Sequence, residues 1–421
     1  MATIFKRVID EGHQTVPNLA MPRGAGPANG SGPRLASVDF VRGIAMILMA
    51  LDHTRAFFTS ARFEPENIKL TYATLFFARW VTHFCAPAFF LLAGLGAALY
   101  GRRHSDTQLR MFLLSRGLCL ILLEFTIIGF AWTFKPRWGM FGVIWCLGAS
   151  LLCLSAFVGL PRWMTGTVAI LMIGLHNLFD RVGPLGVSGN PWLLFLLHRS
   201  GNIRIGHWQI LVLFPLIPWV GVTLLGFASG KWVADYSEKR RRLLIWGGLG
   251  CVALFIALRL TNAYGNPSGD LAHSSPGAWT VQATAMKSAI LFLYVEKYPP
   301  SLQYILMTIG PILLTLSLPA GVLESRVGRV VEVYGQTPLF FYILHLYVIH
   351  LSAVLVSCVT RQPTLWLLNG GFFLHDIPDG YGFNLEIVFI MWVLVVAALF
   401  YPCKWYANLK QSHPDSLLRY L

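Results

Sequence analysis

The sequence predicts an all-α fold: a polytopic transmembrane helix bundle of about ten to eleven spans. Three observations carry that expectation. Of the 421 residues, 55% are apolar and 12% charged, against roughly 25% charged in soluble domains. Seven or more segments of about 18 to 25 residues carry almost no charge, and a bilayer-spanning helix needs about 20 such residues. The 33 Lys and Arg exceed the 19 Asp and Glu, for a net charge of +14, but they fall in short loops between apolar runs. That is the distribution of a topology signal, and it argues against a nucleic-acid partner.

The elements follow in chain order. Residues 1–33 are polar and rich in Gly and Pro, include PRGAGPANGSGP and contain no apolar h-region. They read as a disordered cytoplasmic tail ahead of one transmembrane domain, 34–421. Apolar windows place spans at 38–58, 74–100, 110–131, 140–159, 162–180, 208–229, 242–260, 301–319, 335–357 and 386–403. Residues 280–296 are apolar but short and carry Lys287, so they are an interfacial or re-entrant segment or an eleventh span.

With ten spans, the basic residues before span 1 (Lys6, Arg7, Arg23, Arg34), after span 2 (Arg102, Arg103, Arg110) and before span 7 (Lys239, Arg240, Arg241, Arg242) share one side with Arg162, Arg326, Arg329, Lys404, Lys410 and Arg419. The positive-inside rule puts that side, and both termini, in the cytoplasm. Longer loops, about 181–207, 261–300 and 358–385, collect opposite and are where a substrate is expected to be held. The seven cysteines lie mostly in apolar runs without a CxxC pair and read as small buried hydrophobes. No internal repeat supports an inverted-repeat transporter.

Ionisable groups inside a bilayer are costly, so each one in a span is a candidate functional residue. Asp52 and His53 near the outer end of span 1 and His83 in span 2 all fall roughly 9–14 Å below the outer surface at about 1.5 Å per residue. Glu124, His176, His207, His345 and His350 add to the same outer half. Structural readings stand beside each. His83 lies one turn before Pro87 and can bond a carbonyl that the proline frees. Glu124 can sit protonated in an apolar site. His345 and His350, five apart, do not make an HxxxH metal pair, and one of them is expected to be structural. Asp39 and Arg42, three apart, make a helix-face pair at the inner boundary. Chemically, a histidine near a carboxylate in a partly dry site serves as general base or acyl nucleophile, and a proton-coupled transporter uses the same residues.

RLASVDFVRGIAMILMALDHTRAFF, WVTHFCAPAFFLLAG, FPLIPWVGVTLLGFASG, EKYPPSLQYILMTIGP and GQTPLFFYILHLYVIH, in that order over about 35–405, resemble the bacterial membrane family that carries a heparan-α-glucosaminide N-acetyltransferase catalytic domain. The resemblance implies a ten- or eleven-helix acyltransferase that moves acetyl from cytosolic acetyl-CoA to a sugar amine or hydroxyl, or a similar small acceptor, on the far side. In lysosomal relatives a histidine between spans 1 and 2 is tied to transfer, which this resemblance equates with His83. The expected roles are His83 as general base or transient acyl carrier, Asp52 orienting it, and His345 or His53 assisting proton transfer. Arg42, Arg102 and Arg103 are expected on the CoA phosphates, with membrane lipid as surroundings and no metal. A homo-oligomer stays open, because a Leu- and Phe-rich surface serves lipid and partner helix alike. The competing expectation is a proton-coupled transporter or exporter.

Overall fold

The computed structural model describes residues 35–135, 139–181, 196–205, 208–233, 238–266, 278–370 and 376–413. The expected tail and His207 lie outside them. Among the described residues the fold is a helix bundle with one small sheet. Each predicted span has a helical counterpart: α1 (Ala36–Phe58), α2 (Ala73–Trp80) running through a 3-10 turn (Val81–Phe84) into α3 (Cys85–Gly101), α4 (Asp106–Leu123) running through a π-turn (Glu124–Ile128) into α5 (Gly129–Thr133), α6 (Val143–Ser155) and α7 (Arg162–Leu175). There follow α8 (Leu216–Val233), α9 (Glu238–Thr261), the short α10 (Ala285–Leu293), α11 (Leu302–Leu316), α12 (Ala320–Leu323), α13 (Arg326–Gln336), α14 (Pro338–Val359), α15 (Leu365–Leu368) and α16 (Leu385–Ser412). Five helical runs are long and apolar enough to cross a membrane: Ala73–Gly101, Asp106–Thr133, Glu238–Thr261, Pro338–Val359 and Leu385–Ser412.

Four expectations change in detail. The span expected from residue 208 begins instead as a strand. β1 (Met140–Phe141) pairs in parallel with β3 (Trp208–Val212), whose other edge pairs antiparallel with β2 (Gly201–Ile205), and α8 starts only after Pro215, because a proline opens a helix more readily than it continues one. Within 280–296 only α10 is helical, nine residues or roughly 13 Å, too short for a bilayer of about 30 Å. The ninth span is divided by Thr337, and α14 restarts with Pro338 in its first turn. Of the cysteines, Cys85, Cys146 and Cys403 are buried as expected, whereas Cys153 and Cys358 are exposed.

α1 is the central helix, packed against α3, α13, α14 and α16. Small residues allow the closest approaches. At the α3–α8 crossing a Cβ on Gly94 would lie 1.9 Å from the Thr223 carbonyl oxygen, and one on Gly226 would lie 2.0 Å from the Leu91 oxygen. Gly226→Ala is therefore expected to lower the melting temperature in detergent by an overpacking cost of about 1–3 kcal/mol. Gly250→Ala, where a Cβ meets nothing within 4 Å, is expected to leave it unchanged or raised. Equal behaviour of the two variants would contradict this packing.

Candidate functional site

The end of α1 that bears Asp52 and His53 opens into a chamber of about 460 Å³. Three of the segments that return to it bring its charged groups. The 59–72 connection brings Glu64 and Glu66, α2 and its 3-10 turn bring Arg79 and His83, and the segment after α10 brings Tyr294 to Tyr298 with Lys297. That last segment is fixed by Arg259, fully buried in α9, whose guanidinium donates to the carbonyls of Phe292 (3.0 Å), Leu291 (2.5 Å) and Tyr294 (2.9 Å) at the end of α10. A cation at a helix C-terminus meets the negative end of the helix dipole, so this arginine stabilises the wall through the backbone carbonyls.

The carboxylates in the chamber are engaged. Asp52 accepts from Arg55 Nη2 at 3.1 Å on one oxygen and from Arg79 Nη1 on the other. Arg79 Nε donates to Glu66 at 2.9 Å, and His83 Nε2 lies 3.4 Å from the same Glu66 oxygen. Burial pushes the Glu66 carboxyl up, but the Arg79 guanidinium and the adjacent His83 more than reverse this and hold it below the usual carboxylate range. The carboxylate beside His83 is thus Glu66, whereas the expected orienting group, Asp52, is held by two arginines.

His83 differs from its structural reading as well. Pro87 does free a carbonyl, that of His83 itself, but the Tyr304 hydroxyl takes it at 2.7 Å. Both imidazole nitrogens of His83 are buried without a well-formed hydrogen bond.

His53 and His345, 292 residues apart, meet at 2.7 Å between His53 Nδ1 and His345 Nε2. The remaining contact sets the tautomers. His345 Nδ1 faces the Phe341 carbonyl at 2.9 Å and must donate to it, so its Nε2 is the acceptor and His53 Nδ1 the donor. His53 Nε2 then carries a lone pair. His53 lines the chamber, and its ring packs edge-on against Trp132 at 4.7 Å. A histidine oriented by a second one and holding an open Nε2 is in the state that accepts a proton from a nucleophile.

The other intramembrane candidates have structural partners. Glu124 lines the chamber and accepts from the backbone N–H groups of Ile144 and Trp145, both at 3.1 Å, capping the start of α6 from another helix. His350 bridges the Ala131 and Leu367 carbonyls at 2.8 and 3.1 Å. His176 bridges those of Ile173 and Pro300, both at 2.8 Å.

A second cavity, about 280 Å³, lies toward the other end of α1 and is lined by Arg42, Tyr100, Arg116, Gln336 and Lys410 around an apolar interior that includes Met46, Leu92 and Leu113. Arg42 pairs with Asp39 at 2.8 Å, as the spacing suggested. Arg102 and Arg103 are exposed in the turn just beyond Tyr100, outside the lining. Phe89, Val143 and Tyr342 belong to the walls of both cavities. Arg42 and His53, eleven residues apart on α1, stand roughly 16 Å apart along its axis.

Sequence reasoning missed Arg55, Arg79, Glu66, Lys297, Arg116 and Lys410. For Arg55 and Arg79 the signal was present, since both are charges inside apolar helices.

A family model described as "Heparan-alpha-glucosaminide N-acetyltransferase, catalytic" matches residues 34–258, just over half of the chain. The matched region holds Arg42, Asp52, His53, Glu66, Arg79 and His83, while Lys297, Tyr342 and His345 lie beyond it. No curated protein matches the chain.

Proposed function

Since the chain belongs to the heparan-α-glucosaminide N-acetyltransferase catalytic family, we propose that it carries acetyl from acetyl-CoA, held in the Arg42 cavity, to an amine or hydroxyl acceptor in the His53 chamber. The observation that carries this reading is the wall of Phe89, Val143 and Tyr342 common to the two cavities. A thioester threaded along the apolar interior of the smaller cavity presents its carbonyl there, beside an acceptor on the other side. The size of that cavity suits an extended thioester arm. The nucleotide then stays at the basic rim, where Arg42, Arg116 and Lys410 meet phosphate, with Arg102 and Arg103 reached beyond Tyr100. Cytoplasmic termini put this rim on the cytosolic face of a bacterial inner membrane and the acceptor on the opposite side.

As the acceptor N–H or O–H attacks the thioester carbon, His53 Nε2 takes its proton. Collapse of the tetrahedral intermediate breaks the C–S bond, the CoA sulfur leaves toward the basic rim, and the proton on His53 returns to that sulfur or to solvent. His345 Nε2 supports the imidazolium through the 2.7 Å contact, and the nearby Asp52 carboxylate favours the same charge. Proton-coupled transport is the weaker fit. Among the described residues the imidazole chain runs from His53 to His345 and stops on the Phe341 carbonyl, and Asp52 is locked between two arginines.

Acetyl-CoA at about 100 times its dissociation constant is expected to stabilise the purified protein by about 2.7 kcal/mol, seen as a raised melting temperature that NADH does not reproduce. Arg42→Ala should need more acetyl-CoA for the same shift. Absence of any shift at saturating acetyl-CoA removes the donor site and with it this reading.

A further inference from the structure

Lys297 is the feature of the chamber that acetyl transfer does not use. Its side chain is nine-tenths buried and lines the chamber, and its ammonium sits 5.1 Å from the centre of the Tyr298 ring. No described carboxylate is within ion-pair distance of it. The acidic groups around it are committed elsewhere. Asp52 serves Arg55 and Arg79, Glu66 serves Arg79 and His83, and Glu296 accepts from the Tyr298 backbone N–H at 3.2 Å. Glu64, in the 59–72 connection, also lines the chamber, and burial of its carboxyl together with the neighbouring Glu66 charge pushes its pKa up and weakens it as a counter-ion. Arg55 adds a second unspent donor: one nitrogen holds Asp52 while its Nε has no acceptor.

A largely buried ammonium gains by pairing with an opposite charge, and none of the described carboxylates supplies one to Lys297. We infer that the acceptor carries an acidic group, carboxylate or phosphate, that binds Lys297 while its amine or hydroxyl faces His53. This rests on the chamber being the acceptor site and extends it to the charge class of the acceptor. A planar carboxylate and a phosphate both satisfy a rotatable three-donor ammonium, so the geometry names the charge and the probes distinguish its source.

The test is equilibrium binding to the full chain in detergent, without acetyl-CoA, followed by intrinsic tryptophan fluorescence and melting temperature. The probes are glucosamine 6-phosphate against glucosamine, and glucuronate against glucose. The parent should bind at least one acidic probe ten-fold or more tightly than its neutral counterpart, with the stronger of the two acidic probes naming phosphate or carboxylate. Lys297→Met should abolish the preference, and Lys297→Arg should retain much of it. Equal binding of acidic and neutral probes by the parent, or an acidic preference that survives Lys297→Met, overturns the proposal. Should Lys297→Met fail to fold, the parent's preference and its loss at high salt decide the matter. Acetyl-CoA stabilisation of Lys297→Met should equal the parent's. If acetyl-CoA binds neither protein while the anion preference holds, the transferase reading fails and the anion site stands.

Discussion

Replacing His53 with alanine is expected to lower kcat for acetyl transfer by about 10²- to 10⁴-fold, the range that a positioned general base contributes, while acetyl-CoA still raises the melting temperature. The argument is the tautomer chain. The Phe341 carbonyl fixes the proton of His345 on Nδ1, the 2.7 Å contact fixes that of His53 on Nδ1, and the chamber receives the lone pair of His53 Nε2. His345→Ala removes the orientation and leaves the base, so its kcat should fall less, with KM little changed, and His345→Gln should recover part of the loss because an amide oxygen can accept from His53. The rival assignment makes His83 the base. Its nitrogens are buried, and its nearest partner is Glu66 at 3.4 Å. Assayed beside His53→Ala, His83→Ala separates the two: a folded His83→Ala protein that loses transfer while His53→Ala keeps it moves the base to the His83–Glu66 pair.

How much of this was legible in the sequence depended on whether a residue's role follows from its depth or from a distant partner. The long apolar runs gave the bundle, and the cost of charge in a bilayer picked out Asp52, His53 and His83, which do line one chamber. The same rule applied to Arg55 and Arg79 would have shown Asp52 to be one member of a network, because two guanidiniums one helical turn away in sequence or one helix away in space compete for it. Glu66 and Lys297 carried no such mark. They sit in connections that look like solvent-exposed loops, and only the folding of those connections back into the helix ends buries them. The pairing of His53 with His345 has no local signature either, since spacing within one helix says nothing about a partner 292 residues away. His350 and His176, chosen by the same depth argument, turned out to bridge backbone carbonyls, which is what a buried imidazole does when helix breaks leave acceptors unpaired.

The largest stability effect is expected at Arg79. It donates to Asp52 and Glu66 together and is itself 9% exposed, so Arg79→Met leaves Asp52 with Arg55 alone and Glu66 with only the 3.4 Å contact to His83, and should cost about 3–5 kcal/mol, the range for breaking a buried pair from one side. Asp52→Asn should cost less, since Arg79 keeps Glu66, and the double variant should cost less than the sum of the two single ones, because the second change removes a charge that the first had deprived of one of its two arginines. Acid should reveal the same coupling with a definite sign. In the parent the Glu66 carboxyl is held below its usual range, so it adds stability above its unfolded pKa and loses it as pH falls through the lower folded value. Without Arg79, burial dominates and the folded pKa rises above the unfolded one, so protonation on acidification favours the folded variant. The gap between parent and Arg79→Met should therefore narrow as pH drops from 7 toward 4, measured by melting in detergent across that range. A gap that widens, or stays constant while both proteins remain folded, means that Arg79 acts through packing of its aliphatic stem, and the paired carboxylates then do not hold this end of the chamber.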